Sequence, residues 1–433
     1  MEQISGSDAI CRDLGAAPVR GVRRPGMATS EVPPAAVDPR RRALPLALLV
    51  IGAILSACGT GSGPSPQSLP STSTSATAIR NGGVATPASP TITTSWIDQM
   101  STQLEPVRPR PILFSPMFVG MSYDNLDEPR YSPAVLQEEL SMLESTGAEG
   151  ITIDLGYDPW LAGQQSVMAE DTRFIDEIRA SGRLVVLKDA SAERYRSYPL
   201  PWARFEAAWV QRVRTLAALY RPAYYTVIKE PGWYLPMIAG ISRNPSSPAD
   251  RQIESVSTWT SLLAKLVAAV HQVSPGTKVG VSIPGDSLYH SRQGPFYVQF
   301  MEQAARMPGV AFLGFDIYDT YAFTDTLRFL QAGGAGSTPV WINEAWSTTS
   351  PTIASEPSRA SLDVAWIRFL YQYALYIHAE GVSPFYTNQL ASYGSPPPSA
   401  SGMLRYFEGR TPVFGEFTSL VAANRQQFHG APG

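Results

Sequence analysis

From about residue 110 the chain alternates between two patterns. Short, mostly apolar runs close on polar residues, and longer stretches carry apolar residues every three or four positions. The first pattern predicts strands buried on both faces, the second amphipathic helices. Strands are expected at 116–124, 150–158, 183–191, 224–232, 278–286, 310–318, 338–346 and 381–389. The first helix is bounded by Ser132-Pro133, an N-cap followed by proline at the first helical position, and by Gly147; Leu136, Leu140 and Leu143 share one face. Further helices are expected at 171–182, Trp202–Tyr220, through Leu262–Val270, around Phe296–Met307, at Asp325–Gln331 and Leu362–Glu380, and within 402–428. Eight such units over 111–428 predict an α/β chain folded as a single (β/α)8 TIM barrel, with a doubly wound open sheet as the alternative.

Residues 1–57 read as a signal-peptide region. Three arginines, Arg40–Arg42, precede an apolar run from Ala43 to Leu55, shorter than a bilayer span requires. Met27 is a plausible start. Leu55-Ser56-Ala57-Cys58 resembles the bacterial lipobox. That resemblance implies cleavage before Cys58, lipidation of its thiol, and anchoring to a membrane on the extracytoplasmic side. Residues 58–110 are expected to form a linker, disordered through its Ser, Thr, Pro and Gly up to about Ser95. Gly59, Gly61 and Gly63 follow no strand and open no helix, so they do not make a nucleotide loop.

Composition narrows the function. With 44% hydrophobic residues a large core is available. The net charge of −3 and the lack of a basic run after the N-terminus argue against nucleic acid. Cys11 and Cys58 fit neither a disulfide nor a zinc pattern, and the four histidines are scattered, so no metal or cofactor is expected.

In a TIM barrel chemistry gathers at the C-terminal ends of the strands. Polar candidates there are Asp154, Tyr157 and Asp158 on strand two, Lys188 and Asp189 on three, Lys229 and Glu230 on four, and Asp286 on five. Strand six offers Asp316, Tyr318 and Asp319, strand seven Asn343 and Glu344, and strand eight Tyr386 and Asn388. Rings crowd the same rim: Trp160, Trp233, Tyr234, Tyr289, Tyr321 and Trp346. Aromatic faces take the C–H faces of pyranoses, and carboxylates and amides take hydroxyls, so a carbohydrate partner is expected. Glycoside hydrolysis needs two carboxyls, one to protonate the leaving oxygen and one to attack or to activate water. Glu230 and Glu344 close strands four and seven, which face each other across a barrel.

Those residues carry a resemblance. Ile228-Lys229-Glu230-Pro231 resembles the Asn-Glu-Pro acid/base motif of the clan of retaining (β/α)8 glycoside hydrolases with paired glutamates on strands four and seven. That clan includes endo-β-1,4-galactanases, cellulases and mannanases. Ile342-Asn343-Glu344-Ala345-Trp346 resembles the clan's nucleophile strand, Tyr318 matches its tyrosine after strand six, and 312–330 resembles the galactanase strand-six region. The resemblance implies Glu344 as nucleophile and Glu230 as acid/base, with Lys229, Asp154, Tyr157, Lys188, Trp233, Asp316, Tyr318, Asn343, Trp346 and Tyr386 around the sugar. Two departures stand out. Lys229 replaces the clan's asparagine, and its charge should lower the pKa of Glu230, the wrong direction for an acid, unless desolvation outweighs it, it pairs with Asp189 or another acid, or it binds a uronate. Phe385 and Tyr386 replace the strand-eight tryptophan. The competing reading is a non-catalytic, carbohydrate-binding barrel on the cell surface, for which Lys229 is the main support. A third is another barrel enzyme, a lyase or a non-glycosidic hydrolase.

Overall fold

The computed structural model describes residues 92–104, 107–121, 131–155, 164–189, 202–231, 255–291, 293–347, 357–384, 388–394 and 399–429. Eight parallel strands form one sheet: β1 (Leu113–Phe114), β2 (Gly150–Leu155), β3 (Leu184–Asp189), β4 (Tyr224–Lys229), β5 (Lys278–Pro284), β6 (Val310–Ile317), β7 (Val340–Ala345) and β8 (Ala379–Val382). Neighbours pair in chain order from β2 to β8, and β8 pairs with β1. Closure between β1 and β2 is made just beyond β1. The Phe118 amide donates to the Thr152 carbonyl at 2.8 Å, and the Thr152 amide donates to Pro116 at 2.9 Å. The sheet is therefore a (β/α)8 barrel, not an open doubly wound sheet.

The helices precede, connect and follow the strands: α1 (Thr94–Gln103), α2 (Pro133–Ser145), α3 (Gln164–Ala180), α4 (Trp202–Tyr220), α5 (Val256–Val273), α6 (Gly294–Ala305), α7 (Thr320–Gln331), α8 (Ala360–Tyr376), α9 (Asn388–Ala391), α10 (Ala400–Glu408) and α11 (Pro412–His429). Trp202–Tyr220 is helical over the whole expected range. The expected first strand lies several residues too late, because β1 is only Leu113–Phe114 and the chain then pairs irregularly. The last expected helix divides at Gly409 into α10 and α11, and β8 begins at Ala379, inside the range read as helix.

One boundary needs correction. Residues 58–110 were expected to form a linker, yet α1 lies inside that range and packs on the barrel. Ile97, Met100 and Leu104 are buried, and the Trp96 ring meets Phe323 and Phe369 edge-on at 5.4 and 5.3 Å. The spacing of Trp96, Ile97, Met100 and Leu104 is the helical i, i+3, i+4 pattern. It was masked by the Ser- and Thr-rich composition around it.

Inward-facing side chains fill the barrel in layers. The floor is Val186, Tyr224, Phe312 and Trp341, with ring centroids 4.5 Å apart between Tyr224 and Trp341. Glycines make room for these rings: a Cβ on Gly280 would meet the Phe312 ring at 2.4 Å, and one on Gly381 the Trp341 ring at 2.5 Å. Above the floor lie hydroxyls and an amide. Thr152 bonds Ser115 at 2.8 Å and Ser383 at 2.9 Å, and Trp341 Nε1 donates to Ser383 at 3.2 Å. Asn343 accepts from Thr226 at 3.1 Å and donates to Ser282 at 3.1 Å. The polar side chains of this layer thereby partner one another, which is what makes a polar layer tolerable inside a core.

Candidate active site

Irregularities of two strands place the layer above. In β7, Ile342 pairs with Phe315 but Glu344 pairs with Asp316, so Asn343 is an extra residue. Strict alternation would turn Asn343 and Glu344 to opposite faces. The extra residue lets both point inward. β4 does the same between Thr226 and Ile228: Val227 and Ile228 both join the helix-facing core, and Lys229 returns to the axis.

Glu344 is 4% exposed and meets three groups. Lys188 Nζ donates to Oε1 at 3.0 Å, Lys229 Nζ lies 2.8 Å from the same oxygen, and Tyr318 donates its phenolic hydrogen to Oε2; Lys229 also donates to Asp154 Oδ2 at 2.7 Å. Burial alone would raise the pKa of Glu344. The two ammonium groups and the hydrogen bonds from Lys229 and Tyr318 outweigh it and hold the group well below the usual carboxylate range. Asp154 moves the other way: burial raises it, against the opposing charges of Lys229 and Lys188.

Glu230 lies one residue past β4, half-buried, with φ at +49°. A non-glycine residue in this left-handed region costs on the order of 1–2 kcal/mol. The conformation is held by its amide, which donates to Ser282 O at 2.8 Å. Burial raises the pKa of Glu230 far above its ordinary value. The carboxyl of Asp316 adds to the rise, Lys229 opposes it, and the charge on Glu344 adds again. Asp316, 1% exposed, is itself raised to about 7, first by burial and then by Glu344. The expected effect of Lys229 on Glu230 is therefore outweighed. Lys229 does pair with acids, but with Asp154 and Glu344 rather than with Asp189.

The remaining candidates separate clearly. Lys188, Lys229, Asp154, Asp316, Tyr318, Asn343, Glu230 and Glu344 converge on one end of the barrel. Asp189 faces outward, where it pairs with Arg212 of α4 and accepts from Tyr225 at 3.3 Å. Trp346, expected to line the sugar, is 2% exposed and belongs to the hydrophobic core, so its faces are taken by packing. Two expected rim rings have protein partners: Tyr321 stacks on His290 with centroids 3.7 Å apart, and Arg328 lies over Tyr289 at 4.1 Å. Asp319 caps α7 through the Ala322 amide at 2.7 Å. Asp286 is raised to about 6, first by burial, then by Asp319 and Asp325. Tyr157, Asp158, Trp160, Trp233, Tyr234, Phe385, Tyr386 and Cys58 lie outside the described residues. Thr226 and Ser282, which anchor Asn343, were missed. Their signal was a hydroxyl at an inward position of an otherwise apolar strand.

A cavity of about 1090 Å³ opens at the opposite end of the barrel, beside Tyr224, Lys278 and Glu380. Lys278 and Tyr224 both donate to Glu380 there, so these polar groups satisfy one another, and the carboxylate cluster lies at the far end.

Comparisons with known proteins bear on the fold. No protein-family model matches the chain, and no curated protein matches it in sequence. Solved structures do. The β-glucosidase of Thermotoga maritima, in complexes with azafagomine and with deoxynojirimycin, is similar at TM-score 0.51 and 10% identity, over 73% of this chain and 99% of the other. A structure of fungal β-1,4-galactanases matches at TM-score 0.45 and 12% identity, over 69% and 99% of the two chains. The structural neighbours are (β/α)8 glycoside hydrolases, and at these identities the likeness establishes the fold.

Proposed function

We propose that this protein is a glycoside hydrolase that cleaves glycosidic bonds with retention, Glu344 acting as nucleophile and Glu230 as acid/base. One observation carries the reading. Two carboxyl groups, from β4 and β7, enter the same end of the barrel with opposite proton affinities. Two ammonium groups and a phenol lower the proton affinity of Glu344, and burial and Asp316 raise that of Glu230. Separated proton affinities are what acid and nucleophile require at one pH. In the first step Glu344 attacks the anomeric carbon while Glu230 gives its proton to the departing oxygen. In the second, water gives a proton to Glu230 and displaces Glu344. Lys229 takes the place at which an amide would meet the sugar, and Tyr318 orients the nucleophile. Asp154 and Lys188 hold the charges apart.

The likeness to β-glucosidase and other glycosidase barrels agrees with this reading. The non-catalytic alternative drew its support from Lys229 disturbing the acid. Lys229 instead engages Asp154 and Glu344, and that support is withdrawn. The uronate proposal weakens for the same reason, because the charge of Lys229 is already met by carboxylates. Leu55–Cys58 supports a lipid-anchored protein acting on the extracytoplasmic side of a membrane, with an oligo- or polysaccharide as substrate.

Glu230→Gln tests the acid. Its kcat/KM on unactivated glycosides is expected to fall about 10²–10⁴-fold, the contribution of a positioned general acid. On dinitrophenyl glycosides, whose leaving group needs no proton, the fall should be much smaller. Equal losses on both substrates would remove Glu230 from the acid role.

A further inference from the structure

Asp316 leaves β6 paired in register with Glu344, and its two carboxylate oxygens are in different situations. Oδ1 accepts from the Asn343 amide at 3.1 Å, and Asn343 is fixed in turn by Thr226 and Ser282. Oδ2 is buried and meets no hydrogen-bond donor among the described residues. The carboxyls of Asp316 and Glu230 lie close enough to interact by a side-chain hydrogen bond. Two ionised carboxylates have only acceptors to offer each other, whereas a single proton between them satisfies both.

We propose that Asp316 is a positioning residue for the acid: Asp316 and Glu230 hold one proton jointly, Asn343 anchors the pair, and Glu230 thereby begins each cycle protonated. The proposal rests on the reading of Glu230 as the acid. The proton count closes over the cycle. In the first step the shared proton goes to the glycosidic oxygen as its bond to the anomeric carbon breaks and Glu344 forms an ester, so both Glu230 and Asp316 are left ionised. Two adjacent carboxylates make a strong base, which the second step needs, and water returns the proton as its oxygen displaces Glu344. The charged groups facing the pair are Lys229 on β4, Lys188 on β3 and Glu344 on β7. When Glu344 is esterified, both ammonium groups lose one anionic partner as the pair gains a negative charge, so the site's charge is conserved.

The test is Asp316→Asn, a change of nearly equal shape. An amide at 316 can donate to an ionised Glu230, so the acid should give up its proton more readily. The alkaline limb of the pH dependence of kcat/KM is expected to move down by at least about one unit, about a tenfold loss at a fixed pH above the limb. The loss should be large for alkyl glycosides and far smaller for dinitrophenyl glycosides, a difference that mere misfolding does not produce. Carboxyl ¹³C NMR of Asp/Glu-labelled protein provides a readout independent of turnover. Asp316 and Glu230 should titrate as one coupled pair in the wild type, and Glu230→Gln should replace the paired titration with a single Asp316 step, still raised by burial and by Glu344. An alkaline limb that stays in place in Asp316→Asn, equal losses across leaving groups, or an Asp316 titration unchanged by Glu230→Gln would each overturn the proposal. If the protein hydrolyses no glycoside, the functional reading falls, and the NMR titration still decides whether the pair shares a proton.

Discussion

Replacing Glu344 with glutamine is expected to lower kcat by about 10⁴-fold or more, the scale seen when a covalent nucleophile is removed from a preorganised site. Glutamine is nearly isosteric and still accepts from Tyr318, so substrate binding and KM should change little. What it lacks is the charge that Lys188 and Lys229 stabilise at 3.0 and 2.8 Å. The same ion pairs would keep the proposed nucleophile ionised in acid: with Glu344 held below the usual carboxylate range, activity should persist to lower pH than an unassisted glutamate would allow. The variant also leaves two buried ammonium groups with one carboxylate fewer, so its fold has to be checked by circular dichroism alongside the kinetics. A folded Glu344→Gln protein that keeps a tenth of wild-type turnover would remove Glu344 from the mechanism.

Lys229→Met should be the most destabilising single change in the site. Lys229 bridges Asp154 and Glu344, and the three side chains are 3%, 0% and 4% exposed. Removing one member of a buried charge cluster strands the others, at a cost of about 3–5 kcal/mol. The cost should depend on pH in a defined direction. Asp154 is already raised by burial, with Lys229 the first of the charges opposing that rise, so loss of Lys229 raises it further. A carboxyl whose folded pKa exceeds its unfolded value binds more protons folded than unfolded. Stability then falls as pH rises through the window between the ordinary aspartate value, about 3.9, and the raised one. Relative to wild type, Lys229→Met should therefore lose least in acid, where Asp154 takes a proton, and most above neutrality. Urea denaturation of both proteins at about pH 5 and 8 measures this. Adding Asp154→Leu to Lys229→Met should recover much of the loss, because the stranded carboxylate is then gone. A loss below about 1 kcal/mol at both pH values would mean the cluster is solvated.

The barrel was legible because its elements obey simple periods. Trp202–Tyr220 shows an uninterrupted helical stripe, and β2 to β7 are short apolar runs that helices must cover. The candidate pair was legible for a related reason: Glu230 and Glu344 close apolar strands, where an isolated carboxylate has no packing role. What the sequence does not show is side-chain direction where the register departs from alternation. The extra residues in β4 and β7 decide which way Lys229, Asn343 and Glu344 point, and a period-two reading has no term for them. Lys229 does lower the pKa of Glu230, the direction its position in the sequence suggests, but burial outweighs it, a balance sequence cannot give; the ammonium group itself pairs with Asp154 and Glu344. Asp189 and Trp346 show a related limit. Both lie at a strand end in sequence, but one faces Arg212 outside the barrel and the other packs into the core. Helix α1 was hidden by its Ser- and Thr-rich surroundings.

Covalent trapping tests the central claim most directly. The wild-type protein, incubated with a panel of dinitrophenyl 2-deoxy-2-fluoroglycosides, should gain the mass of one fluoroglycosyl group with at least one sugar. Peptide mapping should place it on Glu344 within Val340–Ala345, and Glu344→Gln should gain nothing. A label on another residue, or steady hydrolysis of the parent glycosides by the Glu344→Gln protein, would contradict the account.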